Sequence, residues 1–406
     1  MSILFSSSKI GSLELQNRFV RSATYEGMAT KEGKVTANLL KMYETLAKGE
    51  LGLIISGYMN VHPLGRAYQY QTNIYSDEFL PGLEKLVKIV HENGGKIVFQ
   101  IAHAGMQTKK KVINENPIAP SGKIRNPTTL EKAKKASEEQ IEEIVASFCT
   151  AASRCISAGA DGIQLHAAHT YLLSQFLSPF FNLRDDKWGG SDENRFRILK
   201  ELISRIKKDI SKDKLLLVKF NVEDHIKDGV HPPLAAKYGK WMKDLGVDGL
   251  EVSGGSGMFS FMNMCRGKVP AEEIIESLEA WKKPIAKSMF KKLKGKFEFE
   301  HPYNVSDSKV IRKELGDFPL ILVGGMRKVA DMESIISKNQ ADFVSLSRPF
   351  IREPNLVKNI RKGATKVLCI SCNRCLAAIE SDLPTTCYVK KFPSKEEGKK
   401  LREKII

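Results

Sequence analysis

Two histidines and a tyrosine in the segment His166-Ala-Ala-His169-Thr-Tyr171 are the residues most able to do chemistry. The histidines are three positions apart, so both side chains could face one pocket from a turn or a first helical turn. Imidazole N–H groups can hold a carbonyl or nitro oxygen, and a tyrosine protonated at neutral pH can act as a general acid. A metal pair is the rival interpretation, although no glutamate or third histidine lies nearby at ligand spacing. A structural role in capping a helix is the other alternative.

A second group of reactive side chains lies near the end of the chain. Cys369, Cys372 and Cys375 form a CxxCxxC pattern, and Cys387 follows after eleven residues. Three thiolates at two-residue gaps can wrap one small cluster, and a distant fourth can close it, which favours an iron–sulfur site. A zinc site and a cysteine group that binds no metal remain alternatives. The other three cysteines lack such spacing and are predicted to be packing residues.

The elements that must position these groups alternate between short apolar runs and amphipathic stretches. The runs do not alternate in polarity, as expected for strands buried on both faces of a parallel sheet. Between them, residues 77–93 and 137–158 have the spacing of amphipathic helices. Eight such runs predict an α/β fold, a closed (β/α)8 TIM barrel. The predicted strands are Arg18–Ala23, Leu51–Ser56, Lys96–Ile101, Gly162–His166, Leu215–Phe220, Gly249–Val252, Leu320–Val323 and Asp342–Ser345.

Polar or small residues follow several of these strands, at the barrel end where enzymes of this fold place their active sites. Gly324-Gly325 follows the seventh strand and Ser347-Arg348 follows the eighth. The glycines would let the backbone approach an anion, and the loops after these two strands are the usual phosphate site of barrels. A tight turn is the alternative for the glycine pair. Together with Arg348, the pattern favours a phosphate site.

Two segments exceed a minimal barrel. The stretch from Ser253 to Pro319 is about twice as long as the other crossovers and is predicted to be an insertion after strand six, with a lid or substrate-loop role. The residues after the barrel carry the four spaced cysteines. We therefore expect a barrel domain over residues 1–362 and a Cys-rich extension over residues 363–406.

The composition indicates a cytoplasmic protein. The 406 residues are 42% hydrophobic, and the first residues lack the pattern of a signal peptide. No stretch reaches the roughly 18 apolar residues of a membrane span, so we expect no membrane partner. All seven cysteines should then be thiols or metal ligands. The net charge of +17 permits nucleic-acid binding, but the lysines are spread along the chain and are better explained as a solvated surface, with an anionic cofactor or acidic substrate as a further contribution.

Several motifs together identify a family that the chain resembles from about residue 3 to residue 360. The sequence is similar to the Old Yellow Enzyme family of NAD(P)H:flavin oxidoreductases. The Cys-rich extension is similar to that of the larger branch, which contains trimethylamine dehydrogenase and 2,4-dienoyl-CoA reductase. That resemblance implies a [4Fe–4S] cluster held by Cys369, Cys372, Cys375 and Cys387. The matching segments begin at Asn17 (NRFV), Gln100 (QIAHAG), His166 (HAAHTY), Trp188 (WGGSDENR), Val323 (VGGM) and Ser345 (SLSRP).

The resemblance implies a bound FMN across the strand ends. Ala23, Thr24 and the Gly57 region would flank the isoalloxazine ring, and Gln100 would bond its pyrimidine edge. Lys219 takes the place where many relatives have arginine, near flavin N1 and O2, and a cation there stabilises the anionic reduced flavin. Tyr25 stands where relatives often have threonine or cysteine, which puts the redox potential in doubt.

The resemblance also assigns the reaction. His166 and His169 would clamp the substrate oxygen, hydride would pass from flavin N5 to the β-carbon, and Tyr171 would protonate the α-carbon. We therefore expect an ene-reductase that acts on an α,β-unsaturated carbonyl compound. The alternatives are a dehydrogenase of an amine or other C–N substrate and an RNA-directed FMN reductase, although nucleic acid is an unlikely partner. The expected electron donor is NAD(P)H or an electron-transfer protein, and we expect a homo-oligomer.

Overall fold

Eight parallel strands close into a barrel, which confirms the predicted fold. The computed structural model describes residues 2–127, 129–278, 280–299 and 301–405, so the outer ends of both predicted domains, Met1 and Ile406, lie outside it. Each strand pairs with the next in chain order, and the eighth pairs back with the first. The strands are β1 (Phe19–Arg21), β2 (Leu53–Ile55), β3 (Ile97–Ala102), β4 (Gly162–Ala167), β5 (Leu215–Glu223), β6 (Gly249–Gly254), β7 (Leu320–Val323) and β8 (Phe343–Leu346).

Helices fill the crossovers between the strands. Both predicted helices are confirmed, and the longer one begins at Ser137, whose side chain forms a capping box with Gln140. The barrel helices are α1 (Ala37–Ala47), α2 (Leu80–Glu92), α3 (Glu138–Ser157), α4 (Asp192–Asp209), α5 (Pro232–Asp244), α6 (Val305–Leu315), α7 (Val329–Ser337) and α8 (Leu356–Arg361).

Short elements complete the loops. The helices are Lys110–Ile113, Leu172–Leu177, Phe261–Met264, Ala271–Ser277, Lys283–Leu293, Arg348–Arg352, Arg374–Glu380 and Lys395–Glu403. The short strands are Ser8–Ile10, Leu13–Leu15, Met59–Asn60, Ile118–Ala119 and Lys134–Lys135, and the 3-10 turns are Ile3–Phe5, Pro63–Gly65, Asp77–Phe79 and Ala280–Lys282.

The barrel interior is apolar at its amino-terminal end. The hairpin Ser8–Ile10 and Leu13–Leu15 packs there, and its Ile10 and Leu15 join a buried cluster of inward-facing strand residues. Burying this apolar surface stabilises the closed barrel and leaves the opposite end free for polar groups.

A polar layer lies above this apolar cluster, centred on the fully buried Glu251 of β6. Its carboxylate accepts hydrogen bonds from Ser22 Oγ at 2.7 Å, Ser345 Oγ at 2.9 Å and Gln164 Nε2 at 3.0 Å. The ammonium of Lys219 lies 3.5 Å from the same carboxylate. A buried charge is tolerated only when it is paired and hydrogen-bonded. Glu251 has one paired ammonium and three hydrogen-bond donors, which four other strands or strand ends supply.

The insertion after β6 is shorter than predicted, so the expected range 253–319 was too wide. Ser253 and Gly254 still belong to β6, and α6 (Val305–Leu315) packs against α5 as a barrel helix. The added segment therefore runs from residue 255 to residue 304 and carries the three helices Phe261–Met264, Ala271–Ser277 and Lys283–Leu293.

The chain after α8 folds back over the same end of the barrel. Thr385 donates its backbone N–H to the Glu26 carbonyl at 2.7 Å, and the guanidinium of Arg402 bonds the Gly27 carbonyl and lies 3.7 Å from the Tyr70 ring. The Asn373 side chain donates to the carbonyls of Cys265 and Lys268, in the insertion. These contacts fix the cysteine segment to the barrel. None of the seven cysteines forms a disulfide bond in this structure.

No helix within the described ranges is both long and apolar enough to cross a membrane.

Removing the Glu251 carboxylate should destabilise the protein strongly, because it leaves the buried Lys219 ammonium without a counter-charge. We expect Glu251→Ala to lower the free energy of unfolding by about 3–5 kcal/mol, measured by urea denaturation. Glu92→Ala, which removes an exposed carboxylate, should change it by less than about 0.5 kcal/mol. A loss below about 1 kcal/mol for Glu251→Ala would contradict this account of the barrel core.

Candidate active site

A cavity of about 320 Å³ opens at the carboxyl ends of the barrel strands. The structure brings together eleven of the twelve predicted substrate and cofactor residues on its wall. They are Ala23, Thr24, Gln100, His166, His169, Tyr171, Lys219, Gly324, Gly325, Ser347 and Arg348.

Gly57 is the predicted residue that does not line this cavity. Its N–H donates to the Glu26 carboxylate at 2.8 Å, and a side chain at this position would collide with that carboxylate. The neighbouring residue Tyr58 lines the cavity instead. A role for Gly57 in binding a cofactor directly therefore has no support in the geometry, because its space is taken by Glu26.

The two histidines and Tyr171 form one compact group after β4. The His166 ring lies 5.4 Å from the His169 ring and 4.5 Å from the Tyr171 ring, measured between centroids. His169 and Thr170 both have left-handed backbone conformations, with φ of 58° and 67°. Such conformations are costly for residues with side chains, most of all for threonine, and persist where the surroundings enforce them. Here the strained turn directs three functional side chains into the cavity.

Burial keeps both imidazoles neutral. Burial, together with the nearby Lys219 charge, holds the pKa values of His166 and His169 well below the ordinary histidine value. His169 Nε2 shares a hydrogen bond of 2.7 Å with Ser253 Oγ, whereas the buried Nδ1 of His166 has no partner. A neutral imidazole with an unpaired ring nitrogen can either donate to a ligand oxygen or accept from a ligand donor, depending on its tautomer.

Polar groups that could hold a planar heterocycle lie on β3 and β5, the two strands that flank β4. Gln100 Nε2 is bound to Gln164 Oε1 at 2.6 Å, but its buried Oε1 has no partner. Lys219 Nζ donates to Ser22 Oγ at 2.8 Å, and burial lowers its pKa while Glu251 opposes the shift. One amide acceptor and one cation are therefore fixed on the cavity wall by the polar layer beneath them.

Two arginines lie at the ends of β7 and β8. Arg348, predicted from sequence, donates to the Arg266 carbonyl at 3.0 Å and to the Asn373 side chain. Arg327 lines the same wall, and one of its terminal nitrogens is buried without a partner. Burial and the charge of Arg348 lower the Arg327 pKa to about 10. An anion such as a phosphate would relieve both the repulsion and the missing hydrogen bond. Sequence reasoning missed Arg327, although it stands two residues after Gly325.

The insertion narrows this end of the cavity. A side chain added at Gly324 or Gly325 would meet Asn304 or Tyr303 within about 3 Å, so both positions need glycine. Asn304 Nδ2 also donates to the Val323 carbonyl at 2.7 Å. The two glycines were predicted to let the backbone approach an anion. In the structure they also let Tyr303 and Asn304 of the insertion pack closely against that backbone.

Three tyrosines and one carboxylate form a further part of the cavity wall. The ring centroids of Tyr58 and Tyr171 are 5.0 Å apart. Tyr68 packs 5.0 Å from Tyr25 and donates to Glu380 at 3.3 Å. Glu380 belongs to the extension, and a carboxylate that far along the chain carries no local signal of its position.

The four predicted cysteine ligands line a second, much smaller cavity of about 20 Å³. Cys375, Arg348 and Ile351 line both cavities, so the cysteine site adjoins the larger one. Among the described residues, no three His, Cys, Asp or Glu side chains converge on a point where they could bind one metal ion. Cys369, Cys372, Cys375 and Cys387 therefore line one cavity, but their sulfur atoms do not converge at the distances needed to bind a single ion.

The neutral state of His166 predicts a measurable pH dependence. Because its pKa is lowered by folding, the unfolded chain binds a proton that the folded chain does not, and stability falls as the pH falls below about 6.5. We expect His166→Asn to make this fall shallower between pH 7 and 5, by at most about 1.4 kcal/mol per pH unit. Urea denaturation across this range measures it, with the exposed His301→Asn as the control. An unchanged slope in His166→Asn would contradict the buried neutral imidazole.

Comparison with known proteins gives the family. The sequence matches the NADH:flavin oxidoreductase / NADH oxidase family over residues 3–264 and 258–366. It is 29% identical to the 4,4'-dithiodibutanoate disulfide reductase of Rhodococcus erythropolis, over 95% of both chains. It is 32% identical to an NADH oxidase of Thermoanaerobacter brockii over 91% of this chain, and it spans only 52% of that longer relative.

Solved structures show the same fold. A 2-naphthoyl-CoA reductase in complex with 2-naphthoyl-CoA matches 98% of this chain with a TM-score of 0.83 and 23% identity, over 58% of its own length. An Old Yellow Enzyme homologue from Zymomonas mobilis matches 91% of this chain and 95% of its own, with a TM-score of 0.72 and 23% identity. The chain therefore belongs to the NADH:flavin oxidoreductase / NADH oxidase family and is an FMN-dependent oxidoreductase.

Proposed function

We propose that the enzyme reduces the activated C=C bond of an α,β-unsaturated carbonyl compound. The observation that carries this proposal is the unpartnered Nδ1 of His166, buried beside His169 and Tyr171 in the cavity. Neutral imidazoles that donate to the substrate oxygen would polarise the carbonyl and stabilise the enolate charge that develops during reduction.

Tyr171 is the group that delivers a proton to the α-carbon. Burial raises the pKa of its phenol, so the side chain stays protonated at neutral pH and available as an acid. The neighbouring Tyr58 opposes this rise in the pKa of Tyr171 and so favours the phenolate left after proton transfer. The clamp and the acid thus lie on one turn, a short distance apart.

The cavity fits FMN. The unpaired Gln100 Oε1 suits a ring N–H, Lys219 suits a position where negative charge develops, and Arg327 with Arg348 suits the phosphate. Thr24 Oγ1 and Ser347 Oγ, 2.7 Å apart, add hydroxyl groups near the same wall. When bound, FMN supplies the electron pair that reduces the substrate, and NAD(P)H is the donor that the family uses.

We infer further that the cysteine site holds an iron–sulfur cluster. Four cysteines line one small cavity, and four cysteine thiolates are the usual ligands of a [4Fe–4S] cluster. Its contact with the larger cavity through Cys375 and Ile351 supports electron exchange with the flavin site. Electrons could then also arrive from a protein donor.

A second candidate function has one specific observation in its favour. Tyr25, Tyr58 and Tyr68 line the cavity together with the Glu380 carboxylate, and aromatic faces beside a carboxylate suit a cationic amine. This supports oxidation of an amine as the alternative. Glu380 is already paired with Lys109 at 3.4 Å, however, which weakens its attraction for a second cation.

Replacing Tyr171 should separate the two half-reactions. We expect Tyr171→Phe to slow reduction of the alkene by about 10²–10⁴-fold, the typical contribution of a general acid, while reduction of FMN by NAD(P)H stays within about threefold. Anaerobic stopped-flow absorbance measures the two steps separately. Tyr70→Phe, a change at a tyrosine outside the cavity lining, is the matched control. Equal loss in both half-reactions would remove Tyr171 as the proton donor.

Replacing one cysteine tests the cluster. We expect Cys372→Ser to lower the iron and acid-labile sulfide content while FMN is retained, because the two groups occupy different cavities. Iron, sulfide and flavin assays on anaerobically purified protein measure this, with the buried Cys155→Ser as the control. Zinc in place of iron in the unaltered protein would overturn the assignment.

A further inference from the structure

Two large apolar side chains project into solvent on either side of Cys369. Leu368 is 54% exposed and Ile370 is 68% exposed, the largest exposure among the large hydrophobic residues of the described chain. Ile370 also lines the small cysteine cavity, and Cys387 on its rim is exposed. An apolar patch therefore surrounds the point where the cysteine site reaches the surface.

The segment that carries this patch is held firmly in place. Leu368 donates its N–H to Glu353 Oε2 at 2.7 Å, and the Ser371 carbonyl accepts from Lys268 N at 3.0 Å. Arg327 Nε donates to Ser371 Oγ at 2.9 Å. Ser371 and Asn373 adopt left-handed conformations, with φ of 56° and 58°. The side chains are thus exposed by a constrained loop, which reduces the entropy cost of binding a partner there.

Cationic side chains surround the patch. Arg352 Nη1 lies 3.8 Å from Cys387 Sγ, and the exposed Lys390 follows Val389, which lines the cysteine cavity. Lys366 is exposed two residues before Leu368, and its backbone pairs with that of the exposed Lys328. The patch therefore has an apolar centre and a positive rim.

We propose that this surface docks a small acidic electron-transfer protein of the ferredoxin kind. We call it the cysteine face and define it as Leu368, Ile370, Cys387, Arg352, Lys366 and Lys390. An apolar centre with a charged rim is the arrangement of transient electron-transfer contacts, which bury little area and use opposite charge to speed association. The proposal rests on the proposed cluster, because only a redox group behind the surface gives the contact a purpose.

The electron count is balanced by two encounters. Each reduced one-electron partner gives up one electron and leaves oxidised, so two successive partners supply the pair that one double bond consumes. The saturated product gains two hydrogens. One is the proton delivered by Tyr171, and the other is a solvent proton that is transferred together with the electron pair as hydride. A second copy of this chain is a poor occupant, because two surfaces of a protein with net charge +17 repel each other.

The test is direct binding of a reduced plant-type [2Fe–2S] ferredoxin to the purified holoenzyme under anaerobic conditions. Biolayer interferometry at 50 and 500 mM NaCl measures the Kd, and stopped-flow absorbance measures flavin reduction. The test variants are Lys366→Glu/Lys390→Glu and Leu368→Ser/Ile370→Ser. The matched controls are Lys208→Glu/Lys212→Glu, which changes the charge equally elsewhere, and Leu130→Ser, which removes a leucine 51% exposed.

We expect high salt and the Lys366→Glu/Lys390→Glu change each to weaken binding by roughly tenfold, and the controls to stay within about twofold. The serine pair should raise the Kd when it is compared with unaltered protein of equal iron content. A Kd that is unchanged in both variant pairs would overturn the proposal. So would a dimer of this chain that forms at high salt and is disrupted by the same substitutions. Iron content is assayed on the same samples. Absence of iron with intact, variant-sensitive binding would therefore refute the cluster and leave the docking surface standing.

Discussion

The active site depends on one buried carboxylate. Glu251 lies fully buried inside the barrel, above the apolar cluster at its amino-terminal end, and its charge must be compensated. The compensation comes from Gln164 on β4, Lys219 on β5, Ser345 on β8 and Ser22 after β1. Because those partners cannot move without exposing an unpaired charge, the polar layer forms a fixed floor for the cavity. Gln100 and Lys219 present their ligand-facing atoms from this floor.

Contacts made by the extension fix a second part of the cavity wall in place. Asn373 ties the cysteine loop to the insertion, and Thr385 and Arg402 tie the following residues to the loop after β1. The cavity is therefore built from three parts of the chain: the strand ends, the insertion and the extension. Cys375, Arg348 and Ile351 belong to the walls of both cavities, so the cysteine site adjoins the larger cavity.

Sequence patterns predicted the barrel well, because each strand is a short apolar run buried on both faces and needs no long-range information to be seen. The histidine and tyrosine motif and the strand-end residues were found for the same reason, since strand ends of one barrel meet at one cavity. The prediction for Gly57 was less successful, because local sequence does not show that Glu26 occupies its space.

Other features depend on contacts between distant segments. Glu251 is one charged residue in an apolar strand, and its partners lie up to 229 positions away. Glu380 meets the cavity only because the extension folds back, which no local pattern encodes. The range of the insertion was overestimated because α6 has few apolar residues and was not recognised as a barrel helix. Arg327 was the avoidable omission, since it follows the glycine pair already assigned to phosphate.

The most direct test of the central claim is the reaction of the reduced enzyme with an enone. Protein carrying FMN is photoreduced anaerobically and mixed with 2-cyclohexenone, and flavin absorbance is followed while products are analysed. The account predicts that the flavin reoxidises and that one cyclohexanone forms for each flavin. The account is contradicted if the reduced flavin is not reoxidised by cyclohexenone or other enones. If a small amine then reduces the oxidised flavin, the enzyme is an amine dehydrogenase instead.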